Sequence, residues 1–339
     1  MVTSSTLNLW GNPAADAPYW RYQQLDSSCS VVAQASVYHS ITGQYVSEEE
    51  GCQIAASQGW FTAEEGTPTE EAGSLLNHLG VSIYRTYGAT IDDLKTTLEN
   101  NKKVLVSLDA YEIWEPIRDE LGMPVEQADG GHAVWVTGIE QELDGSYRVV
   151  LNDSGIPDGQ QFTVDYEDFA NAWQDRDFRL IVADSSIANS SLVGNQENDE
   201  MLGNSYANWF TGNAGNDTLI GKAASDTLIG GLGNDLLIGG EVINSGGVAR
   251  VIDNDVDVMA GGSGGDIFAL ARGQGRERIT DFQNQIDSLG LTAEIKYGQL
   301  DFTQRGKNTI VSLGNDQLAV LQGVQVNQLS RSDFTTVWA

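Results

Sequence analysis

Basic residues are scarce in this chain. Eighteen lysines and arginines stand against 48 aspartates and glutamates, giving a net charge of −30 over 339 residues. That balance excludes nucleic acid as a partner, because phosphates need a basic surface, and it excludes electrostatic adhesion to anionic lipid. The acidity is not local: 30 acidic and 9 basic residues precede residue 186, and 18 acidic and 9 basic follow. Cysteine is rarer still. Cys29 and Cys52 are too few for a disulfide framework, leaving at most one bridge between them. No run of eighteen apolar residues exists, so no membrane span is expected. Only His39, His78 and His132 can supply imidazole chemistry. Met1 to Trp10 show no basic region leading into an apolar core, so an N-terminal secretory signal is not expected there.

Glycine and aspartate are plentiful, and they are ordered. Gly194, Gly203, Gly212, Gly221, Gly230 and Gly239 recur every nine residues. The sixth place of each block holds Asp199, Asn208, Asp217, Asp226 or Asp235, and the eighth holds Met201, Phe210, Leu219, Leu228 or Leu237. After a slip in phase between Glu241 and Val251, the pattern resumes with Asp257, Met259, Asp266 and Phe268. A flexible linker has no reason to keep an apolar residue at every eighth place. Glycine lets the backbone turn sharply, and aspartate adds a hard, charged oxygen of the kind that ligates Ca²⁺. These blocks resemble the repeats-in-toxin nonapeptide. The resemblance implies a parallel β-roll with calcium held between one turn and the turn two blocks on, so that Asp199, Asp217 and Asp235 share one edge while Asn208 and Asp226 lie on the other. Asp257 and Asp266 are ligands by the same pattern, and Asn208 marks a weaker site.

The first half reads differently. Apolar periodicity predicts helices over 30–42, stopped by Gly43, and over 48–57, 70–79 and 91–98. Strands are expected over 81–86, 103–108, 133–140, 147–152, 161–164 and 178–183, with a short helix over 166–173. Residues 1–28 and 116–130 read as irregular. Helices first and an antiparallel sheet after is an α+β order.

Cys29 opens the first of these helices, where unpaired N–H groups and the helix dipole favour a thiolate. Gln23, six residues earlier, carries an amide able to donate to an oxyanion. His39 lies ten residues along the same helix, roughly 15 Å away at 1.5 Å per residue, too far to act on Cys29. His78 ends a helix, where a histidine complements the dipole. His132 follows Gly130-Gly131 at a strand start, with room around its ring, and Asn152 and Asp153 end the neighbouring strand. Cys52, inside a helix, reads as packing.

YQQLDSSC with the helix SVVAQASV, then GGHAVWVTGIE and VVLNDSG, resemble the papain-like cysteine peptidases. Within these, the local text is more similar to the bacteriocin-processing, double-glycine-leader type and its wider relatives, over about Tyr19 to Ala183. The resemblance implies Cys29 as nucleophile, His132 as general base and acid, Asp153 as orienter and Gln23 as oxyanion donor, with Asn152 and Gln24 as alternates. It departs from the family's pattern at Ser28-Cys29-Ser30-Val31 and at Ser154, where the family has Asp-Cys-Gly and proline. A silent binding module and an acyltransferase or amidase would share the same framework.

The expected organisation is a papain-like domain over 1–185, a linker over 186–191, a calcium-binding β-roll over 192–270, and a β-rich cap with an export signal over 271–339. The expected function is a secreted, calcium-binding thiol hydrolase acting on a peptide or protein. Repeats of this kind further imply passage through type I export machinery without an N-terminal signal peptide, to an extracellular location. Without calcium, a Gly- and Asp-rich segment with one apolar residue per block cannot offset its ordering entropy. A calcium titration followed by far-ultraviolet circular dichroism should therefore gain β signal, with a midpoint of roughly 10⁻⁴ to 10⁻³ M; a flat response would overturn the reading.

Overall fold

Apolar runs broken by glycine place the elements of the first unit, Met1–Ser185. In order they are β1 (Thr6–Gly11), α1 (Pro13–Asp16), α2 (Cys29–Thr42), α3 (Glu48–Gln58), α4 (Ser74–His78), β2 (Ile83–Thr86), α5 (Ile91–Glu99), β3 (Lys103–Asp109), α6 (Ala110–Trp114), β4 (Gly131–Glu142), β5 (Tyr147–Asn152), β6 (Phe162–Asp165), α7 (Tyr166–Gln174) and β7 (Leu180–Ala183). The computed structural model describes residues 6–127, 130–245, 248–252, 255–273, 275–292 and 294–337.

The strands form an antiparallel sheet in the order β2-β7-β3-β4-β5-β6. β1 pairs along residues 138–142 of β4. Helix α2 packs against β4, α3 and α4. Every residue from Ser30 to Tyr38 is buried, so α2 is a central helix and not the one-faced helix its periodicity suggested. Its buried amide is satisfied: Gln34 Nε2 donates to Ser30, and Gln34 Oε1 accepts the Leu76 N–H. Gly43 ends it in the left-handed conformation, returning its N–H to the His39 carbonyl.

Three details differ from the expectation. The helix over 70–79 shrinks to α4, preceded by a single 3₁₀ turn over Thr69–Glu71. Gly73, between them, has φ +95° and breaks the helix. β1 lies in the stretch read as irregular, because its partner is the long β4 and its own Leu7 and Leu9 stay exposed. Helix α6 follows β3 directly, started by the Asp109 side chain.

The second unit, Ser186–Ala339, alternates its strands between two parallel sheets. The strands are β8 (Ser191–Val193), β9 (Glu200–Leu202), β10 (Trp209–Ala214), β11 (Thr218–Lys222), β12 (Thr227–Leu232), β13 (Leu236–Ser245), β14 (Val248–Ile252), β15 (Val258–Ser263), β16 (Ile267–Leu270), β17 (Glu277–Ile279), β18 (Ser288–Leu291), β19 (Asp301–Arg305), β20 (Asn308–Leu313), β21 (Asp316–Leu321) and β22 (Phe334–Thr336). One sheet stacks β8-β10-β12-β15-β17-β21. The other stacks β9-β11-β13-β16-β18-β22. The apolar residue of each block points inward, and Met201, Phe210, Leu219, Leu228, Leu237, Met259 and Phe268 are all fully buried.

The phase slip is an insertion. β13 runs on into an antiparallel pairing with β14, and the chain then rejoins the stack so that Leu228 meets Met259 and Leu237 meets Phe268. Parallel stacking also continues beyond residue 270, where the sequence placed the start of a cap. Asp287 and Leu289 keep the sixth- and eighth-place roles next to Asp266 and Phe268, although Asp281-Phe282-Gln283 replaces the glycines that made the earlier blocks legible. There β20 pairs antiparallel with both β19 and β21.

Fully buried Phe169 packs in the first unit with its ring centroid 5.6 Å from that of Trp173. Phe169→Ala should cost about 3–5 kcal/mol, read as a lower urea midpoint by tryptophan fluorescence in calcium.

Candidate active site and calcium sites

Cys29 is the first residue of α2, partly exposed at the floor of a cleft of ≈ 280 Å³. The cleft is also lined by His132, Ser107, Glu65, Thr67 and Arg176. His132 comes from the start of β4, and Asp153 directly follows β5. His132 Nε2 lies 2.7 Å from Asp153 Oδ1. With Nε2 so engaged, Nδ1 is the ring nitrogen left for the thiol. Asp153 is fully buried and saturated: Oδ1 also accepts the Gly155 N–H at 2.8 Å, and Oδ2 accepts Trp114 Nε1 at 2.8 Å.

The electrostatics agree along this line. Burial disfavours the Cys29 thiolate, but the hydrogen bond and charge of His132 outweigh it, with help from the Ala133 and Ser30 N–H groups, and the thiol pKa falls below its ordinary value. Burial likewise opposes charge on His132. The Asp153 charge and hydrogen bond, then Cys29, override that and push His132 up to about 10. Asp153 is held below the usual carboxylate range despite burial, chiefly by His132. Each shift favours charge: a thiolate at Cys29, an imidazolium at His132 and a carboxylate at Asp153.

A second layer positions these groups. Asp109 ends β3; its Oδ1 caps α6 through the Tyr111 N–H, and its Oδ2 accepts the Gly130 N–H at 2.6 Å. One carboxylate therefore fixes both the helix carrying Trp114 and the turn leading to His132. The Trp114 ring lies 5.0 Å from the imidazole. Neither residue stood out in the sequence; an acid directly after an apolar strand was the available signal for Asp109.

Other candidates lie elsewhere. Asn152 donates to the Asp16 carbonyl and accepts from the Gln161 N–H, so Asp153 is the residue brought to His132. Gln23 does not line the cleft. Its Nε2 donates to the carbonyls of Leu25 and Asp26, and its Oε1 accepts from Ser154, so both amide hydrogens are committed to holding the loop before α2. Gln24 bonds the Tyr22 carbonyl and is exposed. His39 bonds Arg21, and His78 stacks edge-on against Trp60. Cys52 is a free, buried thiol that burial, then Glu48, pushes up to about 11.

In the second unit, the sixth-place acids form two ladders. Asp199, Asp217, Asp235 and Asp266 each give a backbone N–H to Oδ1 of the next acid, ending on Asp287. Asn208 and Asp226 do the same, giving their N–H groups to Asp226 and Asp257. Across the insertion the partners are 31 residues apart instead of 18, yet the ladder is unbroken. Oδ2 of Asp217, Asp235 and Asp266 has no hydrogen-bond partner although it is buried. Burial, aided for Asp235 and Asp266 by neighbouring acids, pushes these three carboxyls up to about 6. At Gly212 an added Cβ would sit 2.0 Å from Asp217 Oδ2 and 2.6 Å from the Gly230 carbonyl. Glycine thus leaves a cradle of hard oxygens, the donor set that Ca²⁺ takes. Asn208 and Asp199 differ: Asn208 Oδ1 accepts the Asn204 N–H, and Asp199 Oδ2 accepts the Asn195 N–H.

Comparison with known proteins bears on both halves. The family model described as the RTX calcium-binding nonapeptide repeat (4 copies) matches two overlapping stretches, residues 193–226 and 220–241. These repeats bind calcium. Uncharacterized protein Rv1268c of Mycobacterium tuberculosis and Mb1299c of Mycobacterium bovis are each 32% identical over 196 residues, spanning 49% of this chain and 80% of theirs. The chain belongs to their family. Among solved structures, it is similar to a Bacillus anthracis protein provisionally named a C39-like peptidase, at 16% identity and a TM-score of 0.38, over 52% of this chain and 97% of that one. It is also similar to extracellular lipase LipA of Serratia marcescens, at 22% identity and a TM-score of 0.24, over 44% of this chain and 19% of the lipase.

Asp153→Asn removes the charge that raises His132 most, so the imidazole should return toward about 6.5 and the thiol should rise. Alkylation of Cys29 by iodoacetamide near pH 6 should slow about tenfold per unit of thiol pKa. An unchanged rate would show that Asp153 does not govern the thiolate.

Proposed function

We propose that the first unit is a papain-like thiol hydrolase, a cysteine peptidase, carried on a calcium-folded β-roll in an exported protein. The observation carrying this reading is the Cys29–His132–Asp153 line, with His132 Nε2 2.7 Å from Asp153 and a thiol pKa lowered at a helix start. Support for the β-roll comes from the alternation of parallel strands between two sheets and from the oxygen cradles at the repeat glycines. Among the described residues no helix is long and apolar enough to cross a membrane. Type I export and an extracellular site of action follow from the nature of the repeats.

Cys29 attacks the carbonyl carbon of a peptide bond as the thiolate. The developing oxyanion is met by the backbone N–H of Cys29, in the first turn of α2, where helical N–H groups lack intrahelical acceptors. Gln23 joins it only by releasing the Leu25 or Asp26 carbonyl. His132, already protonated, passes its proton to the departing amine. Neutral His132 then takes a proton from water, which cleaves the thioester and restores thiolate and imidazolium. Asp153 keeps the ring oriented and its charge favourable, while Trp114 covers the pair.

The two cysteines make an internal control. At pH 6 an alkylating probe should label Cys29 and leave Cys52 essentially untouched, since thiolate falls about tenfold per unit below the thiol pKa. Cys29→Ala should abolish both labelling and cleavage of a peptide library read by mass spectrometry. Labelling confined to Cys52 in the unsubstituted protein would overturn the proposal.

A further inference from the structure

Away from the cleft floor, three carboxylates from separate segments converge in the first unit. Glu112 lies in α6, Glu126 in the segment running toward Gly130, and Asp175 just after α7. Each offers an oxygen, and these oxygens lie within 4.8 Å of one another. Like charges so close repel and need a reason to be held together. The decisive member is Glu112, which is only 2% exposed. Its Oε1 accepts the Gln127 N–H at 3.0 Å, whereas its Oε2 is buried without a hydrogen bond.

Protein hydrogen bonds also link these segments. Gln127 Nε2 bonds the Tyr111 and Glu115 carbonyls, tying the Glu126 strand of chain to α6. The site is thus a preformed set of hard oxygens around a desolvated carboxylate with an unmet acceptor. Such a donor set selects a hard divalent cation over zinc or copper. The repeats already bind calcium, so the folded protein meets that ion.

We propose that Glu112, Glu126 and Asp175 form a calcium site in the first unit, separate from the repeats. Its position gives it leverage. Glu112 shares α6 with Trp114, which bonds Asp153; Glu126 leads to the turn before His132; Asp175 adjoins Arg176, which lines the cleft. The inference does not depend on the thiol hydrolase reading.

The test is calcium stoichiometry on the full chain by equilibrium dialysis. The doubly substituted Glu112→Gln, Glu126→Gln protein should bind one ion fewer per chain than the parent. Its calcium-dependent gain of β signal should keep the same midpoint, since the repeats are untouched. Equal stoichiometry would overturn the proposal. Because Glu112 is buried, exposed Glu126→Gln alone supplies the second arm. It should raise the calcium needed to protect the α6 amides from hydrogen exchange by about tenfold, as expected when one charged ligand is lost. Protection of α6 that is independent of calcium, or unaltered by Glu126→Gln, would equally overturn it.

Discussion

A carboxylate taken out of water must meet positive charge or take up a proton. This constraint organises both units, and each meets it differently. In the first unit the few cations are placed against buried acids: Lys103 against Asp16, Lys102 against Asp184, Arg118 against Asp168. His132 plays the same part for Asp153. In the second unit the charges nearest Asp235 and Asp266 belong to other aspartates. Among the described residues no cation offsets burial at Asp217, Asp235 or Asp266, and calcium takes there the place that lysine and arginine hold in the first half.

The same rule links structure to reactivity. Asp153 is buried and saturated with hydrogen bonds, so it stays ionised. An ionised Asp153 raises the His132 pKa, and His132 in turn lowers that of the Cys29 thiol. Cys52 shows what a thiol becomes without such a neighbour: burial and Glu48 push it the other way. Two cysteines 23 positions apart in the sequence thus differ in kind through their surroundings alone.

Much of this was legible in the residues. The nine-residue period announced the buried column and its oxygen ligands, because both glycine and aspartate are needed at fixed places for physical reasons. Cys29 at a helix start, and His132 after two glycines, were visible as local chemistry. What the sequence hid was mostly tertiary. Asn152 and Asp153 are neighbours on the chain, and only the sheet register decides which meets the imidazole. Gln23 had the right chemistry and spacing, yet its amide is held by carbonyls that no local pattern marks. Trp114 and Asp109 act across a fold that brings β3, α6 and β4 together. Asp287 escaped notice because its block lost its glycines while keeping the acid and the apolar residue.

The acid ladders have a direction. Each backbone N–H is given to the acid that comes later in the chain, never to the one before. The two ends of the stack are therefore not equivalent. Removing a rung from the N-terminal end returns a carboxylate oxygen to water, which solvates it readily. Removing one from the C-terminal end strips the acceptor from a buried N–H and opens the next rung. The stack is a zipper whose slider sits at its C-terminal end, and the strands after Phe268 are its stop.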